Sequence, residues 1–96
     1  MITNYMIIGY GWRADFYYRI AKLLPERFSV CAGVLRTEER AKEVAHKEGV
    51  FATSDLDQAL ERKPDFAVLC VPRDVTKDYL VKLMKKGIPV LCETPP

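Results

Sequence analysis

The feature that most constrains the fold of this chain is a glycine-spaced turn close to its start. An apolar run at residues 6–8 ends at Gly9, and Gly11 and Ala14 follow with the spacing Gly-x-Gly-x-x-Ala, directly before a helix-like pattern. Glycine adopts backbone angles that side chains forbid, so Gly9 lets the strand turn sharply. Because Gly11 has no Cβ, the main chain can come close to a pyrophosphate, and the small Ala14 lets the helix pack on the strand. This arrangement predicts an anion site made of N–H groups at the positive end of a helix dipole.

The rest of the chain alternates short apolar runs with helix-like patterns. We predict strands at residues 6–8, Phe28–Leu35, Val50–Thr53, Phe66–Val71 and Ile88–Cys92. We predict helices at Trp12–Leu24, at Thr37–Glu48, from Ser54 or Asp55 to near Arg62, and at Val75–Lys86. Thr37 is expected to be the N-cap of the second helix and Gly49 its end, and both Leu83 and Met84 of the last helix are expected to face inward. Strands that are apolar on both faces are typical of a parallel sheet with helices on both sides. The predicted fold class is therefore α/β, a doubly wound parallel sheet in three α/β/α layers with strand order 3-2-1-4-5, formed by residues 1–96 as one domain.

The ends of these strands define where a ligand is expected to bind. In doubly wound sheets, ligands bind beyond the carboxyl ends of the strands, where the strand order reverses. The loops that begin at Gly9, Arg36, Val71 and Glu93 meet there. The candidate cofactor-binding residues are Gly9, Tyr10, Gly11, Trp12, Arg13, Ala14, Leu35, Arg36, Thr37, Arg40, Val71, Pro72 and Glu93. Within this set, Trp12 either shields the nicotinamide side of the site or covers the start of the first helix.

The end of the second strand indicates which dinucleotide is preferred. Folds that prefer NAD carry an Asp or Glu there, which accepts hydrogen bonds from the ribose hydroxyls. In this chain the position is Leu35, followed by Arg36, Thr37 and, one turn later, Arg40. A guanidinium without an opposing carboxylate can pair with a 2′-phosphate or stack on adenine. The sequence therefore favours NADP(H) over NAD(H), with an ordinary surface arginine at position 36 as the alternative.

Composition and charge exclude several classes of partner. The chain has 96 residues, of which 49% are hydrophobic, and its net charge is only +2. So small a charge does not predict binding to nucleic acid or to an anionic membrane surface. No apolar run approaches the length of a membrane span, and the first residues lack the features of a signal peptide.

The reactive side chains do not form a recognisable catalytic or metal-binding set. Cys31, Cys70 and Cys92 lie in strand-like runs, so we expect buried, reduced thiols and a cytoplasmic location. The single histidine, His46, is expected on a solvated helix face. We predict no catalytic residue and no metal ligand within this chain, and the first turn lacks the Gly-Lys-Ser/Thr of a Walker loop.

Three landmarks together resemble the N-terminal dinucleotide-binding half of the Gfo/Idh/MocA oxidoreductases. They are the Gly9/Gly11/Ala14 turn, the Glu39-Arg40-Ala41 helix followed by Gly49-Val50, and the strand from Gly87 to Glu93 that runs towards a proline. The resemblance covers essentially the whole chain and implies a Rossmann domain. It also implies a second, α+β domain that carries the substrate pocket and usually the oligomer interface. We therefore expect residues 1–96 to be a truncated protein without that domain, with self-association through an uncovered apolar surface near the last strands.

One departure from the family pattern bears on catalysis. The family carries Glu-Lys-Pro at the end of this strand, and its lysine is credited with a catalytic or substrate-orienting role, whereas this chain has Glu93-Thr94-Pro95. A neutral hydroxyl is a poor proton donor and offers no positive charge to an alkoxide. By the same resemblance, the bond before Pro95 is expected to be cis.

The resemblance and this departure leave three hypotheses about function. The first is an NADP(H)-dependent oxidoreductase that transfers hydride to or from a sugar-like or polyol-like substrate held by the absent domain. The second is a nucleotide-sensing or partner-binding module that has lost catalysis. In the third, the fold is kept but Trp12 and Arg13 block the nucleotide site.

Overall fold

A computed structural model describes residues 2–92 of the chain, apart from the side chain of Arg73. In this part of the chain the strands are β1 (Thr3–Gly9), β2 (Phe28–Val34), β3 (Ala52–Thr53), β4 (Phe66–Cys70) and β5 (Val90–Cys92). The helices are α1 (Trp12–Leu23), α2 (Glu38–Glu48), α3 (Leu56–Leu60) and α4 (Arg73–Lys85). All strand pairs are parallel, and the sheet order is β3-β2-β1-β4-β5. The predicted fold class and strand order are confirmed.

The residues of β1 alternate between two cores, one on each face of the sheet. Tyr5 and Ile7 pack in the core that includes α1 and α2, while Met6 and Ile8 pack in the core that includes α3 and α4. Successive side chains of a strand point to opposite faces, so a strand covered on both sides must be apolar throughout. The continuous apolar run in the sequence thus reflects three layers.

The ends of α2 follow from its sequence. Thr37 is the N-cap, and its hydroxyl accepts a hydrogen bond from the backbone N–H of Arg40. Gly49 ends the helix in the left-handed conformation, with φ of 68°. Both predictions are confirmed. For α3, where Ser54 and Asp55 were alternatives, the N-cap is Asp55.

Several predicted boundaries were wrong by one to three residues. Helix α4 begins at Arg73, not at Val75, because the carbonyl of Pro72 already accepts hydrogen bonds from Val75 and Thr76. Strand β5 begins at Val90, not at Ile88, because the N–H of Ile88 donates back to the carbonyl of Leu83. Strands β2 and β4 each end one residue earlier than predicted, β3 begins two residues later, and α1 and α4 each end one residue earlier.

Burial also corrects the predicted roles of some apolar side chains. On α1, Phe16 and Leu23 are 59% and 77% exposed, because a helix buries one stripe and that stripe belongs to Ala14 and Tyr18. On α4, Leu83 is fully buried but Met84, which was predicted to face inward, is 72% exposed.

The cysteine prediction holds only in part. Within the described residues the three cysteines form no disulfide; Cys31 and Cys70 are partly buried, but Cys92 is exposed because β5 is an edge strand. Within residues 2–92, no helix has both the length and the apolar character needed to cross a membrane. The same residues contain no group of three histidine, cysteine or carboxylate side chains placed to hold a metal ion.

Candidate functional site

The turn between β1 and α1 needs glycine at position 9 for two reasons. Gly9 has φ of +101°, in the region that side chains rarely adopt. A Cβ at this position would lie 2.2 Å from the carbonyl oxygen of Cys70, the last residue of β4. Because both groups belong to the backbone of neighbouring strands, neither can move aside. Glycine at position 9 therefore allows the turn to pack directly against the end of β4.

Gly11 faces a different environment. Its φ is +137°, but a Cβ placed there would meet no atom of residues 2–92 within 4 Å, so among these residues the space beside it is open. Helix α1 begins at the next residue, Trp12, and its N-cap is Gly11, which has no side chain to cap the first turn. The first N–H groups of a helix lack intrahelical partners, and with the helix dipole they attract anions. An open glycine beside an uncapped helix start fits the pyrophosphate of a dinucleotide.

Ala14 lies beneath this turn and does not reach the open space. It is fully buried in the core that also contains Ile7 and Val68. A larger side chain would push α1 away from the sheet. Its contribution to the site is thus to hold the helix start close to β1.

A cleft of about 490 Å³, here called the strand-end cleft, lies at the carboxyl ends of β1, β2 and β4. It is lined by Gly9, Tyr10, Val34, Leu35, Arg36, Thr37, Arg40, Ser54, Cys70, Val71, Pro72, Val75 and Tyr79. Eight of these were predicted from the sequence. Val34 and Cys70 precede the predicted strand ends, and Ser54, Val75 and Tyr79 lie on or beside helices that the sequence did not direct to the site.

A second depression, here called the turn pocket, has a volume of about 370 Å³ and adjoins the strand-end cleft. Its lining residues are Tyr10, Gly11, Trp12, Arg13, Cys70, Val71 and Pro72. Trp12 is 72% exposed, and the guanidinium carbon of Arg13 lies 4.4 Å from the centroid of its ring. Both residues line the turn pocket and neither lines the strand-end cleft, so the hypothesis that they block the nucleotide site stays a prediction.

A larger groove of about 690 Å³ lies between α3 and α4. It shares Ser54, Val75 and Tyr79 with the strand-end cleft but contains none of the residues predicted from the sequence. The candidate site therefore rests on the glycine turn and not on the volume of a groove.

The charges at the mouth of the strand-end cleft are positive. Arg36 and Arg40 are exposed, and among the described residues neither guanidinium forms an ion pair. The nearby carboxylate of Glu38 instead accepts hydrogen bonds from the N–H and hydroxyl of Ser54, and these hold the pKa of Glu38 below its ordinary value. The hydroxyl of Thr37 is partly occupied as the cap of α2.

The side chain of Tyr10 is engaged away from the predicted cofactor. Its hydroxyl donates a hydrogen bond to Oε2 of Glu48, at the end of α2, over 2.9 Å. No pattern in the sequence indicates this partner, because Glu48 resembles any polar residue at the end of a helix. Of the other predicted residues, Glu93 lies outside the described residues, as do Thr94 and Pro95.

A comparison with protein families shows to which family the chain belongs. A family model described as an oxidoreductase family with an NAD-binding Rossmann fold, Gfo/Idh/MocA, matches residues 3–96. The chain belongs to the Gfo/Idh/MocA family. It is therefore an NAD-binding Rossmann domain of that family, as its three landmarks predicted. Among curated proteins, none matches the chain significantly.

Several solved structures superpose closely on the chain. GenD2 from gentamicin A biosynthesis, in complex with NAD, is 23% identical with a TM-score of 0.83, over 97% of this chain and 27% of that one. UDP-N-acetylglucosamine 3-dehydrogenase GnnA from Acidithiobacillus ferrooxidans is 21% identical with a TM-score of 0.83, over 99% and 30%. An oxidoreductase from Thermotoga maritima is 26% identical with a TM-score of 0.82, over 99% and 30%. The chain thus spans less than a third of the length of each.

Proposed function

We propose that this chain is the dinucleotide-binding domain of an oxidoreductase that acts on a sugar-like or polyol-like substrate. The observation that carries the proposal is the open Gly11 beside the uncapped start of α1, at the ends of the central strands. When bound, a nicotinamide dinucleotide supplies or accepts the hydride. Two similar structures, GenD2 with NAD bound and the UDP-N-acetylglucosamine 3-dehydrogenase GnnA, are compatible with this class of reaction.

The strand-end cleft and the turn pocket would bind different parts of the cofactor. The N–H groups of Trp12 and Arg13 would bind the pyrophosphate, since they lie at the start of α1 beside Gly11. The strand-end cleft, with apolar Leu35 and the exposed guanidinium of Arg36, would take the adenosine part. The apolar turn pocket beside Trp12 would take the nicotinamide side and keep water from it.

We further propose that NADP(H) is preferred over NAD(H). The support is local: Leu35 stands where an acid would favour NAD, and Arg36 and Arg40 are exposed without an ion-pair partner among the described residues. A guanidinium donates two parallel hydrogen bonds to a phosphate, which a ribose hydroxyl cannot match. The family description and the NAD in GenD2 favour the other cofactor, so the preference needs a direct measurement.

Calorimetric titration with NADPH, NADP, NADH and NAD tests both proposals. Arg36→Ala is expected to weaken binding of the two phosphorylated cofactors by about 1.5–3 kcal/mol, as for a hydrogen bond to a charged group, and to leave the other two unchanged. Arg27→Ala, which removes an exposed arginine from the loop before β2, is the matched control. If none of the four cofactors binds at millimolar concentration, the proposal that this chain binds a dinucleotide is wrong. Equal affinities for all four would overturn only the proposed preference for NADP(H).

Substrate binding is proposed to lie with residues outside this chain, because the chain spans 27–30% of the compared structures. A second candidate function follows from Thr94, which stands in place of the family lysine: a module that binds the nucleotide without turning it over. Activity assays on a longer form that carries a substrate domain would distinguish these two functions. Oxidation of NAD(P)H by a panel of ketoses would support the oxidoreductase, and tight nucleotide binding without turnover would support the module.

A further inference from the structure

A buried carboxylate connects the glycine turn to the far ends of two helices. Glu48, the last residue of α2, accepts a hydrogen bond from the Tyr10 hydroxyl at Oε2, over 2.9 Å. Its Oε1 pairs with Nζ of Lys22, in the last turn of α1, over 2.6 Å. One carboxylate therefore joins the β1–α1 turn, α1 and α2.

The surroundings hold this carboxylate in its charged form. The side chain of Glu48 is only 2% exposed, and although burial opposes ionisation, the hydrogen bonds from Lys22 and Tyr10 outweigh it and keep the pKa of Glu48 below its ordinary value. The ring of Tyr10 packs 6.0 Å from that of Tyr18, and Nζ of Lys47 lies 5.4 Å from its centroid. These contacts leave the Tyr10 side chain little freedom to turn.

The position of Tyr10 makes this contact matter for the cofactor site. Residues 9–11 read Gly-Tyr-Gly, and both glycines have positive φ, so Tyr10 carries the only side chain that can hold this segment in place. The N–H groups that follow it, at the start of α1, can bind a pyrophosphate only if the turn keeps its shape.

We propose that Glu48 is a positioning residue for dinucleotide binding, which acts through the Tyr10 hydroxyl to hold the glycine turn open for the pyrophosphate. The proposal rests on the dinucleotide function proposed above. It does not place Glu48 in contact with the cofactor. It predicts a selective loss, in which ligands that contain a pyrophosphate weaken while those that reach only the strand-end cleft do not.

The experiment compares dissociation constants for NADH, ADP-ribose and adenosine, measured by amide chemical-shift titration of the 96-residue chain. Tyr10→Phe is expected to weaken NADH and ADP-ribose by about tenfold and adenosine by less than twofold; tenfold corresponds to about 1.4 kcal/mol. Glu48→Gln keeps an oxygen that accepts from Tyr10, so it should retain more affinity than Glu48→Ala. The matched control is Tyr5→Phe, which removes another phenol hydrogen bond to α1, from Tyr5 to the carbonyl of Tyr17, remote from the turn.

The outcomes separate this inference from the function on which it rests. If NADH does not bind the unaltered chain, the dinucleotide function fails. If NADH binds but Tyr10→Phe leaves all three ligands unchanged, or weakens adenosine as much as ADP-ribose, the positioning role is overturned. Should Tyr10→Phe fail to fold, Glu48→Gln and Glu48→Ala decide: the proposal requires Glu48→Ala to weaken ADP-ribose more than Glu48→Gln does and to leave adenosine within twofold, whereas a purely structural carboxylate would lower all three affinities together.

Discussion

The carbonyl oxygen of Cys70 occupies the place where a side chain at Gly9 would begin, 2.2 Å from an ideal Cβ. The end of β4 thus approaches the end of β1 more closely than any residue other than glycine allows. At Gly11, two residues later, no atom of the described part of the chain fills the corresponding space. The two glycines of one motif thus differ: the first is required for packing, and the second is proposed to allow the approach of a ligand.

Gly9→Ala is expected to destabilise the chain by more than about 2 kcal/mol, because the methyl group would both clash with backbone and require a positive φ. The free energy of unfolding from urea titration, followed by circular dichroism, measures this. An unfolding free energy within 0.5 kcal/mol of the unaltered chain, a margin of about the size seen for surface changes, would contradict the close contact with Cys70.

Gly11→Ala is expected to separate stability from binding. Its methyl group meets no protein atom, so only the positive φ costs stability, about 1–2 kcal/mol. Because the same methyl group would stand in the space proposed for the pyrophosphate, NADH affinity should fall at least tenfold, about 1.4 kcal/mol. Calorimetry on folded protein is the test, and an unchanged affinity would show that the ligand does not approach here.

Glu48→Gln is expected to reduce stability by about 1 kcal/mol at pH 7, through loss of a charge-assisted hydrogen bond. Since the folded pKa of Glu48 lies below its ordinary value of 4.5, its stabilisation is present above pH 4.5 and is lost as the pH falls through the folded pKa. Urea unfolding of both proteins between pH 7 and 3 should therefore give curves that converge in acid. Glu43→Gln, an exposed change on the same helix, is the control, and a gap that stays constant with pH would argue against an ionised Glu48.

Leu83→Ala and Met84→Ala test the corrected packing of α4. Leu83 is fully buried, so its truncation is expected to cost about 2–5 kcal/mol. Met84 projects into solvent, so the adjacent truncation should change stability by less than about 0.5 kcal/mol. Leu83→Ala should therefore lower the free energy of unfolding much more than Met84→Ala does, when both are measured by the same urea titration. Similar costs would mean that both side chains face inward, as predicted from the sequence.

The sheet and its order were predictable because the central strands are apolar on both faces, and only helices on both sides can cover them. The caps of α2 were predictable because Thr37 and Gly49 act on their own helix ends. The role of Glu48 was not predictable, because its partner Tyr10 is 38 residues away in the sequence and no motif pairs a tyrosine with a glutamate at this spacing. Met84 was misassigned because the apolar residues of α4 span a wider arc of the helix than the sheet can cover.

The exposure of Arg36 and Arg40 has a consequence for how this domain can diverge. Neither side chain packs in either core, so exchanging them costs little folding free energy, within about 0.5 kcal/mol for an ordinary surface position. If Arg36 and Arg40 set the preferred dinucleotide, as proposed above, selection could switch it through nearly neutral steps at these two positions, while Gly9 and the carboxylate of Glu48 stay fixed. In this fold, changing the residues proposed to select the cofactor would cost little stability, whereas changing those that shape its site would cost much more.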